Sequence, residues 1–296
     1  MDAAAIATAA SSGLRAWADG LTPELRAAFD ALTGGSGLQA DSGADVYLAN
    51  LSQPVVLLPL WFADGVPDAV VVDVIGSALA GYLAVRLHDD WMDEARGDPT
   101  EAMLLGTALL ARSSSLVGAH VPDARWWSLH ADLWQRYAEA MAFERLVMAK
   151  KVPYDDKAFE LVLRRSEPLL LPAAALLGAR GRWDAVARAG DLVRATVRAH
   201  QHFDDLRDAL GDFRDGRRTW LIAESRAQDA GAFMAWLLRT GADLALERAD
   251  AELDMALAAA AELGLERGTA WLLERRRAMW AWHGKVVGRY LAAALG

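Results

Sequence analysis

Two long helical segments of this chain each end in a cluster of aspartates, and this pairing limits the possible folds more than any other feature. The first cluster, residues 89–94, holds four carboxylates and directly follows the apolar run at residues 74–87. Side chains at i and i+4 share one face of a helix, so Asp89 and Asp93 converge. Asp90 belongs to a second converging pair, about 100° around the helix axis.

The second cluster is Asp204-Asp205-Leu206-Arg207-Asp208, which Asp212 follows at the end of another helical run. The C-terminal end of a helix carries partial negative charge and is a poor place for carboxylates. Structural stability alone therefore does not explain either cluster. Carboxylates, together with water and phosphate oxygens, are the ligands that magnesium prefers. Two such clusters on separate helices predict an oxygen-lined magnesium site in a helical bundle.

The composition predicts an all-α fold. Of the 296 residues, 54% are hydrophobic and 24% are charged, with abundant alanine, leucine and arginine. These residues favour helix, and no segment has a convincing strand pattern. Because no linker rich in proline, glycine or serine divides the chain, we expect one helical domain over residues 1–296, a single large bundle with a central apolar cavity.

Helical periodicity and helix-start signals place the elements along the chain. We expect a kink near Arg165-Ser166-Glu167, because Pro168 and Pro172 follow in the same segment. Residues 55–62 form an apolar segment interrupted by a proline. The predicted helices span residues 2–18, 23–34, 67–94, 99–116, 122–150, 155–178, 184–212, 217–240, 242–264 and 266–294.

Charge and composition exclude several classes of function. A net charge of −9 and a pI near 5.2 argue against nucleic acid as a partner, since phosphate backbones are bound by clustered lysine and arginine. The absence of cysteine excludes disulfides, thiolate catalysis and cysteine-based zinc sites. The N-terminus lacks a secretory pattern, and no uninterrupted apolar run approaches about 20 residues. We therefore expect a cytoplasmic protein without a transmembrane segment.

In order and spacing, the two clusters resemble the helical class I isoprenoid synthases. This superfamily contains the trans-prenyl diphosphate synthases, or polyprenyl synthetases, and the class I terpene synthases that share their fold. Residues 89–93, Asp-Asp-Trp-Met-Asp, resemble the family's first DDxxD motif, and residues 201–208 resemble its QxxDDxxD motif. Gly216-Arg217-Arg218-Thr219 is similar to the glycine and basic segment that follows. The resemblance covers residues 81–221.

The resemblance implies a role for each matching residue. The expected catalytic residues are Asp89, Asp93, Asp204 and Asp208. It implies three magnesium ions, held by Asp89, Asp90, Asp93, Asp204, Asp205, Asp208 and Asp212. Contacts to a diphosphate are assigned to Gln201, Arg165, Arg217, Arg218, Arg289 and Tyr290. The hydrocarbon pocket is assigned to Ala84, Val85, Trp91 and Phe203. The resemblance also implies a prenyl diphosphate substrate and a homodimer.

Two details refine this assignment. His88 and His202 stand beside the carboxylates, but magnesium prefers oxygen, so we expect hydrogen bonding or packing from them. Ala84 and Val85 occupy positions where large aromatic residues shorten the pocket of some prenyl synthases. Their small size predicts a cavity deep enough for a C15 or longer chain.

Departures from the family pattern decide between chain elongation and cyclisation. An elongating synthase binds isopentenyl diphosphate through an N-terminal basic segment and an arginine pair after the first motif. Residues 33–60 contain no lysine or arginine, and only Arg96 follows the first motif closely. Without cationic partners, a second diphosphate would bring several uncompensated negative charges into the site.

The sequence therefore predicts a magnesium-dependent class I terpene synthase that ionises one linear allylic prenyl diphosphate to a carbocation. The cation then cyclises or rearranges. The chain has 12 tryptophans, and aromatic faces stabilise cations. One alternative is a prenyltransferase that elongates an allylic diphosphate with isopentenyl diphosphate. Another is a non-catalytic family member that binds prenyl lipids.

Overall fold

The structure, a computed structural model, describes residues 1–36, 54–94 and 98–295. The side chains of residues 34–36, 54, 90–94, 286, 289 and 291–295 lie outside that description. The described residues are almost entirely helical and contain no strand, which confirms the all-α prediction. The helices are α1 Ala3–Ala18, α2 Pro23–Ser36, α3 Pro54–Leu60, α4 Asp68–Glu94, α5 Pro99–Gly118, α6 Ala124–Met148, α7 Asp156–Leu163, α8 Leu170–Ala179, α9 Val186–Arg214, α10 Trp220–Ser225, α11 Ala230–Trp236, α12 Ala242–Glu262 and α13 Glu266–Leu295.

Capping side chains explain several of the helix starts that the sequence predicts. The Asp98 carboxylate accepts a hydrogen bond of 2.6 Å from the backbone N–H of Thr100, and Pro99 occupies the first turn of α5. The Asp155 carboxylate accepts a bond of 2.9 Å from the N–H of Ala158 at the start of α7. Such caps satisfy backbone donors that a helix leaves unpaired in its first turn.

The predicted kink near Arg165 is confirmed. The 3₁₀ segment Arg164–Leu169, which contains Pro168, separates α7 from α8. Proline removes a helical hydrogen bond and clashes with the preceding turn, so a continuous α-helix is disfavoured there.

The prediction of one helix over residues 217–240 is wrong. Arg226 has a left-handed backbone conformation that ends α10, and a new helix, α11, starts at Asp229. A π-helical turn, Leu237–Gly241, then leads into α12. The Trp236 ring lies where a Cβ on Gly241 would stand, so this crowded turn requires glycine.

The chain forms two compact units. Unit 1 consists of Met1–Leu129 with Leu171–Val186, and unit 2 consists of His130–Leu170 with Ala187–Gly296. The assignment of residues 1–296 to one domain stays a prediction.

In unit 1, α4 packs against α5 in antiparallel order. The hydroxyls of Ser77 and Ser113 exchange hydrogen bonds with each other's backbone carbonyl at 2.8 and 2.9 Å, and both residues are buried. Toward the start of α4, the His120 imidazole lies 2.6 Å from the Asp73 carboxylate. Toward its end, the His88 ring packs where a Cβ on Gly106 would come within 3.2 Å of it. These contacts fix the register of the helix that carries the first aspartate cluster.

Among the described residues, α4 contains the one helical segment, Asp68–Asp89, that is long and apolar enough to cross a membrane by length and composition. Half of the most apolar stretch is buried inside the structure, as in the core helix of a folded domain, so this is only weak support for a membrane span.

Unit 2 is built around α9, whose inner face packs against α7, α10 and α13. Trp220 is completely buried, and its indole N–H donates a 2.8 Å hydrogen bond to Asp156. The His202 ring meets Trp220 edge-on at 5.1 Å and stacks on Phe159 at 4.6 Å. Burial lowers the pKa of His202 to about 4, so it packs as a neutral ring and confirms the expected packing role.

We expect the serine pair between α4 and α5 to behave as one coupled unit. Ser77→Ala or Ser113→Ala alone should lower the free energy of unfolding by about 1–3 kcal/mol, because each leaves buried polar groups unpaired. The double variant should cost less than the sum of the two single variants. Urea unfolding measures all three. Ser114→Ala, which removes a partly buried hydroxyl bonded within its own helix, is the control, and additive single effects would contradict the coupling.

Candidate active site

The first aspartate cluster lies at the C-terminal end of α4, as the sequence predicts. The helical backbone continues to Glu94, so Asp89 and Asp93 stand one turn apart on the same helix. Asp89 is partly buried. The side chains of Asp90, Trp91 and Asp93 lie outside the described residues, and their assigned roles stay predictions.

The two pocket residues assigned to α4 differ in burial. Ala84 is fully buried and Val85 is partly buried, both in unit 1. Because neighbouring side chains already surround Ala84, its small size does not by itself open a cavity. Their place in a hydrocarbon pocket stays a prediction.

The second cluster forms a line of carboxylates on α9, which we call the acidic face: Asp204, Asp208 and Asp212. They stand at i, i+4 and i+8 in a helix that continues to Arg214, so the three carboxylates lie on one face. The side chains of Asp204 and Asp208 are 41% and 50% exposed, whereas Asp212 is 17% exposed. Two of the three carboxylates are therefore readily reached from solvent.

Arg207 binds two carboxylates of the acidic face at once. Its guanidinium contacts Asp204 at 2.8 Å and forms a bidentate pair with Asp208 at 3.1 and 2.8 Å. The sequence analysis missed this role, although an arginine three residues after one aspartate and directly before another is a recognisable signal. In the described structure, Arg207 compensates the charges of Asp204 and Asp208.

The acidic face favours bound cations. Partial burial raises the pKa of Asp204, an effect that the nearby Arg207 opposes. Burial also raises the pKa of Asp212. The positive charge of Arg217 opposes this shift, and the negative charge of Asp208 adds to it. Carboxylates that repel one another gain from a positive charge placed between them.

Asp205 has a different environment from its neighbour Asp204. It is 3% exposed, and its Oδ1 accepts a 2.7 Å hydrogen bond from the side-chain amide of Gln201. Burial raises its pKa to about 7, against the opposing effects of the Gln201 side chain and the Leu221 backbone. Its other carboxylate oxygen, Oδ2, is buried without a hydrogen-bond partner in the described structure. The assignments of Asp205 and Gln201 to metal and diphosphate stay predictions.

Tyr290 on α13 contacts the backbone of the acidic face. Its hydroxyl donates a 2.7 Å hydrogen bond to the carbonyl of Leu206, and the residue is 7% exposed. Burial, then the negative charges of Asp208 and Asp212, raises its pKa to about 12. The structure thus places the predicted Tyr290 beside the second motif, while the Arg289 side chain lies outside the described residues.

The remaining predicted arginines lie in different surroundings. Arg217 approaches Asp212, with its Nε 3.9 Å from the carboxylate. Arg218 instead donates through Nη1 to the carbonyls of Val147 and Val152, at 2.9 and 3.0 Å. Of these two neighbours, only Arg217 stands beside the acidic face.

Two further predicted residues have partners within unit 2. Arg165 pairs with Glu144 at 2.5 Å. Phe203 is 7% exposed and meets Trp282 edge-on at 4.7 Å. Phe203 therefore packs against an aromatic residue of α13, which is consistent with an apolar surface next to the acidic face.

The donors of the acidic face fit a magnesium ion by their chemistry. Among the described residues, no three acidic or histidine side chains gather closely enough to hold one metal. The reason is geometric, because side chains one helical turn apart are separated by about 5–6 Å and Arg207 occupies the space between two of them. The partly exposed oxygens of Asp204 and Asp208 are hard ligands of the kind that magnesium selects.

Comparison with solved structures identifies the fold. The chain is similar to a geranylgeranyl pyrophosphate synthetase from the archaeon Geoglobus acetivorans, with a TM-score of 0.67, 15% identity, and coverage of 93% of this chain and 98% of that one. It is also similar to a polyprenyl synthetase from Streptomyces coelicolor A3(2), with a TM-score of 0.56, 19% identity, and coverage of 99% and 94%. The fold is that of the isoprenoid synthases. No family model and no curated relative matches the sequence.

Asp205→Asn tests whether this buried carboxyl has a structural role. Its folded pKa of about 7 lies above its ordinary value of 3.8, so the folded chain holds the proton more tightly. Wild-type stability should therefore fall as pH rises from about 4 to about 7. The amide variant keeps the acceptor oxygen and avoids the charge, and should gain up to about 4 kcal/mol relative to wild type at pH 8.

The measurement is urea unfolding of both proteins at pH 5 and pH 8. Asp64→Asn, at an exposed position in unit 1, controls for the loss of one surface charge and should show no comparable change. A stability difference between Asp205→Asn and wild type that is the same at pH 5 and pH 8 would contradict the raised pKa of this buried carboxyl.

Proposed function

We propose that the protein is a magnesium-dependent class I terpene synthase acting on a linear allylic prenyl diphosphate of C15 or longer. The observation that carries this proposal is the line of Asp204, Asp208 and Asp212 on α9, next to Tyr290, in a chain with the isoprenoid synthase fold. Aspartates at one-turn spacing on a helix suit metal–diphosphate binding far better than structural stability.

In this proposal, the carboxylates of the acidic face are magnesium ligands of unit 2, and Asp89, Asp90 and Asp93 of α4 are magnesium ligands of unit 1. Magnesium, when bound, neutralises a diphosphate and makes it a better leaving group. Asp204 and Asp208 become available to a metal when Arg207 releases them. Because Arg207 is 46% exposed and its pairs are solvated, this rearrangement costs little.

Other residues of unit 2 have supporting roles. Tyr290 stays protonated at neutral pH and holds the α9 backbone at Leu206, so it positions the carboxylates beside it. Arg217 has a guanidinium that is 57% exposed and only loosely paired with Asp212, which leaves donors for a diphosphate. Phe203 and Trp282 offer aromatic surface to an apolar or cationic hydrocarbon.

One observation favours ionisation of one substrate over condensation of two. Residues 33–60, where the resemblance places the isopentenyl diphosphate contacts, contain no lysine or arginine. A second diphosphate in that place would have no cation from this segment to balance its charge. Arg165 is paired with Glu144 and Arg218 donates to backbone carbonyls, so each would give up these partners to contact a diphosphate in either reaction.

The alternative is a trans-prenyltransferase that elongates an allylic diphosphate with isopentenyl diphosphate. It is favoured by the similar solved structures, which are a geranylgeranyl pyrophosphate synthetase and a polyprenyl synthetase. A homodimer, as the resemblance implies, and a cytoplasmic location belong to the proposal under either reaction.

Product analysis tests the proposed reaction. The intact chain is incubated with magnesium and the C10, C15 or C20 allylic diphosphate, with and without isopentenyl diphosphate. We expect a hydrocarbon or alcohol and released diphosphate from the C15 or C20 substrate alone. A longer diphosphate formed only when isopentenyl diphosphate is added would support the alternative. Intact substrate in every reaction would contradict both enzymatic functions.

Asp208→Asn tests the acidic face. We expect magnesium-dependent turnover to fall at least about 100-fold, because even residues behind metal ligands contribute about 10- to 100-fold. The melting temperature should change little, since loss of the pair with Arg207 is offset by reduced repulsion among the carboxylates. Steady-state kinetics and thermal unfolding measure the two effects. Asp64→Asn is the matched control, and full activity of Asp208→Asn would contradict the assignment.

A further inference from the structure

A cluster of cationic side chains lies in unit 2, and none of the acidic-face carboxylates lines it. We call it the basic groove and define it by Lys150, Lys151, Arg218 and Arg226. It is an open groove of about 520 Å³ between the end of α6 and the α10–α11 connection. Among the described residues that line it, none carries a carboxylate.

The positive charges of the basic groove have no local counterions. Lys150, Lys151 and Arg226 are exposed, and their side chains form no ion pair within the described part of the chain. Elsewhere in unit 2 most arginines pair with carboxylates, as Arg207 and Arg276 do. In a chain of net charge −9, several adjacent unpaired cations are unexpected.

Capping of α6 does not explain these charges. The carbonyl of Leu146 accepts the backbone N–H of Lys151, and the carbonyl of Val147 accepts the N–H of Lys150. Arg218 also donates to the Val147 carbonyl. These carbonyl groups at the end of α6 therefore accept hydrogen bonds from backbone N–H groups and from Arg218, and neither lysine side chain is needed to cap the helix.

Two of the cationic residues in the groove also have an unusual backbone conformation. Lys150 and Arg226 have φ values of 56° and 51°, and they are the non-glycine residues with positive φ in the described chain. Glycine is strongly preferred at such helix-ending positions, because a Cβ is strained there. Both positions carry a long cationic side chain instead, and both lie in the same groove.

From these observations we infer that the basic groove binds the phosphate group of an organic phosphate. Two lysine ammonium groups and the exposed Arg226 guanidinium supply the charge, and Arg218 is held at the base by its bonds to Val147 and Val152. Guanidinium groups and ammonium groups are the usual partners of phosphate oxygens.

The apolar residues of the groove define the class of ligand further. Val152, Pro153, Ile222 and Ala223 line it together with the cationic residues. Cationic groups beside apolar residues fit an amphiphile, with a phosphate head and a hydrocarbon tail. A free prenyl phosphate and the headgroup of an anionic lipid share this chemistry.

Calorimetry with inorganic pyrophosphate tests the groove. The titration uses the full chain in EDTA, where metal-dependent binding to the aspartates is absent. The test variant is Lys150→Gly/Arg226→Gly, which removes two charges and places glycine where the backbone favours it, so unfolding measurements should show no loss of stability. We expect binding at least about tenfold weaker than for wild type, because charge-assisted hydrogen bonds are lost.

The matched control is Arg267→Gly/Arg277→Ala, which removes two exposed arginines outside the groove. It should bind pyrophosphate like wild type. In a parallel arm, sedimentation with phosphatidylcholine vesicles, with or without phosphatidylglycerol, distinguishes a lipid headgroup from a free phosphate. Groove-dependent binding in either arm supports the inference and identifies the source of the ligand. Binding that the groove variant retains in full, or no binding by wild type in both arms, would overturn it.

Discussion

The proposed site depends on how the negative charges of the acidic face of α9 are balanced by nearby cations. Asp204, Asp208 and Asp212 stand in line toward the C-terminal end of a helix, where the helix dipole also carries negative charge. Arg207 joins the first two carboxylates through its guanidinium. A cation thus already occupies the place that the proposed function assigns to a metal.

The buried side of the same helix holds the acidic face in position. His202 packs between Phe159 and Trp220, and the Tyr290 hydroxyl of α13 donates a hydrogen bond to the Leu206 carbonyl. Asp205 accepts a hydrogen bond from Gln201 one turn earlier on the same helix. Polar groups of this kind are costly to bury unless they are hydrogen-bonded. Because these contacts lie on the buried side of α9, the packing of unit 2 determines where the carboxylates of the acidic face stand.

Much of this arrangement was predictable from the sequence, because it depends on local rules. Capping by Asp98 and Asp155 marks helix starts, and the i, i+4, i+8 spacing places the acidic face on one side of α9. The kink near Pro168 follows from the chemistry of proline.

The remaining features depend on tertiary contacts that one sequence does not reveal. Neighbouring Asp204 and Asp205 have the same chemistry, and only the packing of α10 decides that the second is buried. Arg218 lies at the end of α6 because it finds carbonyl groups there. The split of the predicted helix at residues 217–240 reflects the left-handed Arg226, whose conformation is unusual for a residue with a side chain.

Metal binding at the acidic face requires Asp204 and Asp208 to exchange Arg207 for a divalent ion when a prenyl diphosphate binds. A crystal structure of the full chain with magnesium and an unreactive thiodiphosphate analogue of a C15 substrate tests it most directly. The account predicts magnesium at about 2.0–2.1 Å from oxygens of both aspartates, with the Arg207 guanidinium displaced from them. An analogue bound elsewhere, with Arg207 still joined to both carboxylates, would contradict it.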